Sequence, residues 1–431
     1  MNLFDDVEKL ITRCASTGIR PGLERIERLL TSLGKPQGGY PAVHVVGTNG
    51  KGSTCAYLSS VFKTAGYRTA LYTSPHLESP GERLLIDGHP LSAERWLAAA
   101  QKTTNAVAED PILRDDPPSY FELVTAAAFL LAMEEKAEIA VVEAGLGGRL
   151  DATNLLSDVV CTVVASISVD HTEYLGDTLE EIAGEKFAVV RPDIPACYVG
   201  NVERLLSLFE AQCARVGAKP FSVSKDVVLG TVGISDMGCV FDFFGPDLEL
   251  KRIRTGMLGR YQVENAALAL LALSRLTSRF DGLTESAIRL GMLDARWPGR
   301  LEVVSREPLV ILDGGHNPDG VAKLVESISE LWPHKKMGVV YGVMKDKDYS
   351  TCLDILHKLN PALYPTCVPG TERALDAEIL ADCARRLTWR NSVAAAKDPL
   401  GAIGRAAEEN DAVLVCGSLH LIGWVRSRIA R

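Results

Sequence analysis

No two cysteines in this chain are spaced as Cys-x-x-Cys, no apolar run is long enough to span a bilayer, and basic residues do not outnumber acidic ones. Each absence closes a class of function. The ten cysteines stand singly at 14, 55, 161, 197, 213, 239, 352, 367, 383 and 416. Without clustered partners they read as small core residues, not as zinc ligands or a disulfide framework. The longest apolar stretches, near 124–133 and 266–273, are too short for a membrane span and read as buried helices. Lys plus Arg number 46 against 55 for Asp plus Glu, a net charge of −9, which argues against a general nucleic-acid surface. The first residues, Met1-Asn2-Leu3-Phe4-Asp5-Asp6, are acidic and lack the apolar centre of a secretory signal, so the expected compartment is the cytoplasm.

What is present is the composition of a folded protein, 47% hydrophobic and 23% charged, with no low-complexity segment and no fixed short repeat. A length of 431 residues exceeds one ordinary core, so two domains are expected. Short β-rich runs at 42–46, 69–72, 139–142, 159–167, 309–312, 337–341 and 412–416 alternate with helical spacing, the pattern of a parallel α/β sheet. Between 222 and 256 the pattern changes to short alternating strands, such as Cys239-Val240-Phe241-Asp242-Phe243-Phe244, with a Gly-Pro turn after them, which predicts a small antiparallel addition. Arg296-Trp297-Pro298-Gly299-Arg300 breaks the helical stretch before it, placing a boundary between domains at 1–296 and 297–431.

Polar residues follow several of the apolar runs, where the strand ends of an open parallel sheet line a ligand crevice. The strongest such segment is Gly47-Thr48-Asn49-Gly50-Lys51-Gly52-Ser53, between a strand and a helix. Its glycines would let backbone N–H groups turn toward phosphate oxygens, Lys51 supplies charge, and Ser53 is suited to Mg²⁺. The strict GxxxxGK[ST] pattern is not met: Val45 stands at its first glycine and Gly52 separates Lys51 from Ser53. Taken alone, an ordinary glycine-rich turn is the other reading. Glu143 ends a strand and leads into Ala144-Gly145-Leu146-Gly147-Gly148-Arg149-Leu150-Asp151-Ala152-Thr153-Asn154, as a metal carboxylate or a solvated strand-end acid would. His171, after Ser166-Ile167-Ser168-Val169-Asp170, and Lys186, after Gly184-Glu185, would alone read as structural or surface residues.

Together these segments resemble the folylpolyglutamate synthase and dihydrofolate synthase family, within the Mur ligase superfamily. The resemblance runs from about residue 18 to 423 through His44 to Thr54, Thr73-Ser74-Pro75-His76-Leu77, Phe121-Glu122, Val142 to Asn154, Asp170 to Gly176, Glu185-Lys186, Asn265-Ala266, Pro298-Gly299-Arg300, Leu312-Asp313-Gly314-Gly315-His316-Asn317-Pro318 and Cys416-Gly417-Ser418-Leu419. It implies a Mur-ligase-like α/β fold: an N-terminal P-loop ATPase domain with a parallel sheet, and a smaller C-terminal Rossmann-like glutamate-ligase domain. By the same likeness Gly50, Lys51, Gly52, Ser53, Asn265, Arg300 and Asp313 bind ATP. Ser53, Glu143 and His171 take part in binding Mg²⁺, with two ions expected, and Lys186 matches a lysine that the family carbamylates. Ser119, Tyr120, Phe121, Glu122, Leu150, Asp151 and Ala152 are expected near the pterin-bearing substrate, and Ser74, Arg83, His316 and Ser418 near glutamate. The sequence departs from the family in Phe187-Ala188-Val189 after Lys186, in Gly-Gly-His after Asp313, and in lacking an asparagine before Glu82-Arg83.

The resemblance implies an ATP-dependent ligase that joins L-glutamate to dihydropteroate or reduced folates through an acyl phosphate, with Lys51, Lys186 and His316 in the chemistry. A monomer acting on small molecules is expected, with neither nucleic acid nor membrane as partner. Another Mur-type amino-acid ligase and a nucleotide-dependent switch or binding module are the alternatives. Dependence of ADP release on both a pterin and glutamate separates them.

Overall fold

A computed structural model describes residues 3–387, 389 and 391–429. Eight strands form the first sheet, in the order His89–Pro90, Leu84–Ile86, Thr69–Tyr72, Ile139–Glu143, Ala42–Val46, Val159–Val164, Pro195–Tyr198 and Lys219–Ser222. From Thr69–Tyr72 onward every neighbour is parallel, and the two short strands at the other edge are antiparallel. The central strands are buried along their whole length, which is why they read as continuous apolar runs rather than alternating ones. Lys219–Ser222 lies at an edge with exposed residues and carries Pro220, whose missing N–H an edge strand tolerates.

Helix Tyr120–Glu134 packs on one face of this sheet, and its residues from Glu122 to Ala132 are all buried. The apolar stretch near 124–133 is therefore a core helix. Among the described residues no helix is long and apolar enough to cross a membrane.

The second sheet has five strands in the order Glu302–Arg306, Leu309–Asp313, Ala412–Cys416, Met337–Tyr341 and Ala362–Pro365. All pairings are parallel except that of Glu302–Arg306 with Leu309–Asp313. Its core is a separate cluster that includes Ile311, Val339, Leu363 and Leu414. A third sheet joins Glu249–Thr255, Gly238–Phe244 and Val228–Ser235 in that order. Only two residues connect the last two strands, a length that antiparallel hairpins use.

The contacts define two compact units. One comprises Met1–Thr231, Phe241–Arg254 and Glu264–Ala295; the other comprises Val232–Val240, Thr255–Val263 and Arg296–Arg431. The second unit thus takes two short segments from within the span read as 1–296. Cys239 Sγ in one of them bonds the carbonyls of Met257 and Gly259 in the other, each at 3.5 Å.

Candidate functional site

In the first unit the glycine loop links the central strand Ala42–Val46 to helix Lys51–Thr64. The N-cap of that helix is Gly50, in the left-handed region at φ +86, and no side chain caps it. A Cβ at position 50 would collide with Asn265 Oδ1, so glycine is required there both by conformation and by space. Gly50 and the ATP-binding candidate Asn265 are therefore neighbours. Lys51 Nζ donates to Thr48 O at 3.1 Å and lies 3.9 Å from Glu143 Oε1. Ser53 is in the first turn of the helix and only 3% exposed.

Glu143 ends the neighbouring strand and is 5% exposed. Its Oε2 accepts the backbone N–H of Ser74 at 3.4 Å, which places Ser74 beside the loop as well. Lys186 is buried, and its Nζ donates to Gly47 O at 2.9 Å. Burial, and then the nearby Lys51 charge, lower its pKa to about 7, against the opposing pull of Asp170 and Asp151. A lysine that the sequence presents as a surface residue is thus an interior amine.

His171 has a different setting. Its backbone is left-handed at φ +54, its side chain is 43% exposed, and its Nε2 lies 3.9 Å from Asp170 Oδ1. Asp170, only 12% exposed, is the member of this segment whose charge reaches Lys186. Sequence reasoning passed over Asp170, although a carboxylate just past the strand Val159–Val164 was the available signal. Among the described residues no three His, Cys, Asp or Glu side chains gather as a metal-holding group. A hydroxyl and one buried carboxylate are nevertheless the donor types that Mg²⁺ takes when phosphate oxygens and water complete its shell, so Ser53 and Glu143 fit that ion.

The pterin candidates lie on both sides of Gly145. The Phe121 ring packs so closely on Gly145 that a Cβ there would strike it, and the Gly145 N–H donates to Asp151. Asp151 is 4% exposed. Its Oδ1 accepts Thr153 N and Oγ1, at 3.0 and 2.5 Å, and its Oδ2 accepts Leu146 N at 2.7 Å. Burial pushes its carboxyl up, and these donors oppose the rise. Leu150 and Ala152 flank it, and Gly148 is pressed against the backbone of Glu185 and Lys186.

Ser119 and Glu122 form a capping box for helix Tyr120–Glu134, and Glu122 Oε2 accepts Ser119 N at 2.7 Å and Arg25 Nε at 3.4 Å. Glu122 Oε1 is buried without a hydrogen-bond partner. Burial raises the Tyr120 phenol. Its ring faces Arg83 at 5.6 Å, and Arg83 Nε donates to His76 Nδ1 at 3.0 Å. Arg83 is thus 8% exposed and tied to His76 and Tyr120.

Four candidates belong to the second unit. Asp313, at the end of its strand, accepts Gly315 N at 2.7 Å and Leu301 N at 2.9 Å. Burial raises its carboxyl, opposed chiefly by Arg300, which lies over Gly314. His316 Nδ1 lies 2.9 Å from Gly314 O. A carbonyl only accepts, so Nδ1 carries the hydrogen and Nε2 is the basic nitrogen of the neutral ring. Ser418 is 4% exposed and accepts His420 N at 3.2 Å.

Comparison with known proteins agrees with this layout. The model of the Mur ligase middle domain matches residues 45–273, and that of the Mur ligase glutamate ligase domain matches 299–419. The chain is 33% identical to the dihydrofolate synthase/folylpolyglutamate synthase of Bacillus subtilis over 99% of both chains. It is similar to the structure of Mycobacterium tuberculosis folylpolyglutamate synthase complexed with ADP and AMPPCP, at a TM-score of 0.91 and 31% identity, over 100% of this chain and 98% of that one. Against E. coli FolC in complex with DHPP and ADP the TM-score is 0.86 and the identity 30%, over 99% and 98% of the two chains. With both domain models matched in order and the likeness running the length of the chain, this protein belongs to the folylpolyglutamate synthase/dihydrofolate synthase family of Mur ligases.

Proposed function

We propose that this chain is an ATP-dependent ligase that adds L-glutamate to dihydropteroate, to reduced folates, or to both. The observation that carries the reading is Lys51 at a helix N-terminus that no side chain caps. That arrangement suits a polyphosphate.

A carboxylate does not condense with an amine at neutral pH, because its oxygen is a poor leaving group. The substrate's carboxylate oxygen attacks the γ-phosphorus of ATP, the bond to the β-γ bridging oxygen breaks, and an acyl phosphate and ADP result. Lys51 and the backbone N–H groups of the first helical turn offset the charge that develops on the transferred group. The amine of glutamate then attacks the acyl carbon, inorganic phosphate leaves, and an amide forms. His316 takes the amine's proton at Nε2 or positions the amine. Ser53 and Glu143 would hold Mg²⁺, with His171 and a carbamylated Lys186 as further ligands in a two-ion arrangement. When bound, the ions neutralise phosphate charge. A neutral amine is what reacts with CO₂, and the lowered pKa of Lys186 supports that modification. Asn265, Arg300 and Asp313 are assigned to the nucleotide, Phe121, Glu122 and Asp151 to the pterin, and Ser74, Arg83 and Ser418 to glutamate.

A cytoplasmic monomer is proposed, and seven of the ten cysteines being buried as free thiols supports a reducing compartment. Mass spectrometry of reactions containing ATP, glutamate and either dihydropteroate or a reduced folate tests the reading. The expected product is the acceptor plus one or more glutamyl residues, with ADP release requiring both co-substrates. ADP release independent of both would replace the ligase with a nucleotide switch.

A further inference from the structure

One residue interrupts the apolar run of the central strand Ala42–Val46. His44 is fully buried, on the sheet face it shares by alternation with Ala42 and Val46, both core residues. Its Nε2 lies 2.8 Å from Thr153 Oγ1. The direction of that bond follows from the next one. Thr153 Oγ1 donates to Asp151 Oδ1 at 2.5 Å, and a hydroxyl has a single hydrogen to give. Thr153 must therefore accept from His44, which fixes the imidazole as the Nε2–H tautomer.

Burial, with the Arg191 guanidinium nearby, keeps this ring neutral by lowering its pKa to about 3. Nδ1 is then a bare acceptor, and it is buried without a hydrogen-bond partner. An orphaned buried acceptor opposes folding. Leucine or phenylalanine would fill the position without one, so packing does not account for histidine. What the ring contributes is one directed N–H.

We propose that His44 and Thr153 are positioning residues for Asp151: His44 Nε2–H donates to Thr153 Oγ1, Thr153 Oγ1–H donates to Asp151 Oδ1, and the chain aims this carboxylate at the heterocyclic end of the substrate. The inference rests on the reading that Asp151 holds the pterin ring. Donors on Oδ1 and on Oδ2 fix the carboxylate from both ends, and Gly145 joins it to the face covered by Phe121. The relay begins inside the sheet, so the orientation of the carboxylate is tied to a strand buried along its whole length.

Steady-state kinetics and thermal melts of the full chain carrying Thr153→Val, Thr153→Ser, His44→Phe or Asp151→Asn test this. Thr153→Val keeps the side-chain volume, and it should raise KM for dihydropteroate about tenfold, the scale of one charge-assisted hydrogen bond. The KM for ATP should stay within about twofold, a difference too small for a lost hydrogen bond. Thr153→Ser should restore the wild-type value. His44→Phe should raise the same KM without lowering Tm, and combined with Thr153→Val it should add nothing further. If Asp151→Asn raises KM for dihydropteroate while Thr153→Val does not, the relay is wrong and the pterin reading stands. If Asp151→Asn has no effect, both fall. A loss of Tm with equal changes in both KM values would make the pair structural and overturn the proposal.

Discussion

Two βα turns in this chain look alike in sequence and differ in how their helices begin. Gly47 to Ser53 follows the buried strand Ala42–Val46 in the first unit, and Gly314 to Pro318 follows the buried strand Leu309–Asp313 in the second. In the first, the helix starts at a left-handed glycine with no side-chain cap, and two lysines stand nearby. In the second, the Asn317 side chain accepts Gly320 N at 2.8 Å and Pro318 occupies the first helical position. The second helix caps its own first turn, whereas the first has no side-chain cap there. A glycine-rich turn is therefore not by itself a phosphate site; the missing cap and Lys51 are what support the one proposed at Gly47 to Ser53.

The largest effect that could break this comparison is at Lys51. Lys51→Ala should lower acyl-phosphate formation about 10³-fold, at the upper end of what one electrostatic partner supplies to a transition state, with the circular dichroism spectrum unchanged. ADP release at the wild-type rate would remove the glycine loop from the chemistry. Next comes Gly50→Ala, which forces an L-residue to φ +86 and a methyl group onto Asn265 Oδ1. The left-handed conformation alone costs about 1–2 kcal/mol, so KM for ATP should rise about tenfold or more. Nucleotide titration against wild type measures it, and an unchanged value would show that the helix start does not touch ATP. The smallest effect is expected in the second turn, where Asn317→Ala removes a cap worth about 1 kcal/mol. It should lower Tm by a few degrees and leave KM for ATP within about twofold. A larger change in KM would mean that the two turns share a role.

Much of this arrangement could be read from the chain before folding. Ala42–Val46, Thr69–Tyr72, Met337–Tyr341 and Ala412–Cys416 have the bounds that their apolar runs predict, because strands buried on both faces carry a near-continuous apolar signal, which His44 alone does not break. Pro195–Tyr198, Lys219–Ser222 and Ala362–Pro365 were missed: they are four residues long, and each contains a proline that reads as a break. Glu302–Arg306, a polar antiparallel edge, gives a weak apolar signal, and Leu84–Ile86 and His89–Pro90, three and two residues long, are too short to show a period. Within the site, the sequence places Lys51 and Glu143 each just past an apolar run, where the crevice of a parallel sheet is expected, but that their strands are neighbours comes from the fold. The sequence does not reveal that Lys186 is buried, since burial there depends on how Gly148 lies on the helix Leu179–Phe187. Nor does it separate Glu122, whose Oε2 serves the capping box and Arg25, from Asp151, or single out Asp170 from the adjacent His171.

Lys186 carries one more consequence. An amine with a pKa of about 7 is divided between two charge states in ordinary buffer. If nucleotide binds beside it, as proposed, the polyanion favours the ammonium, and in the unmodified protein nucleotide association is expected to draw a proton from solution. The heat of that event then depends on the buffer that gives up the proton. Once the amine is a carbamate it no longer takes part in this exchange, and the buffer's contribution reports the chemical state of a side chain that solvent cannot reach.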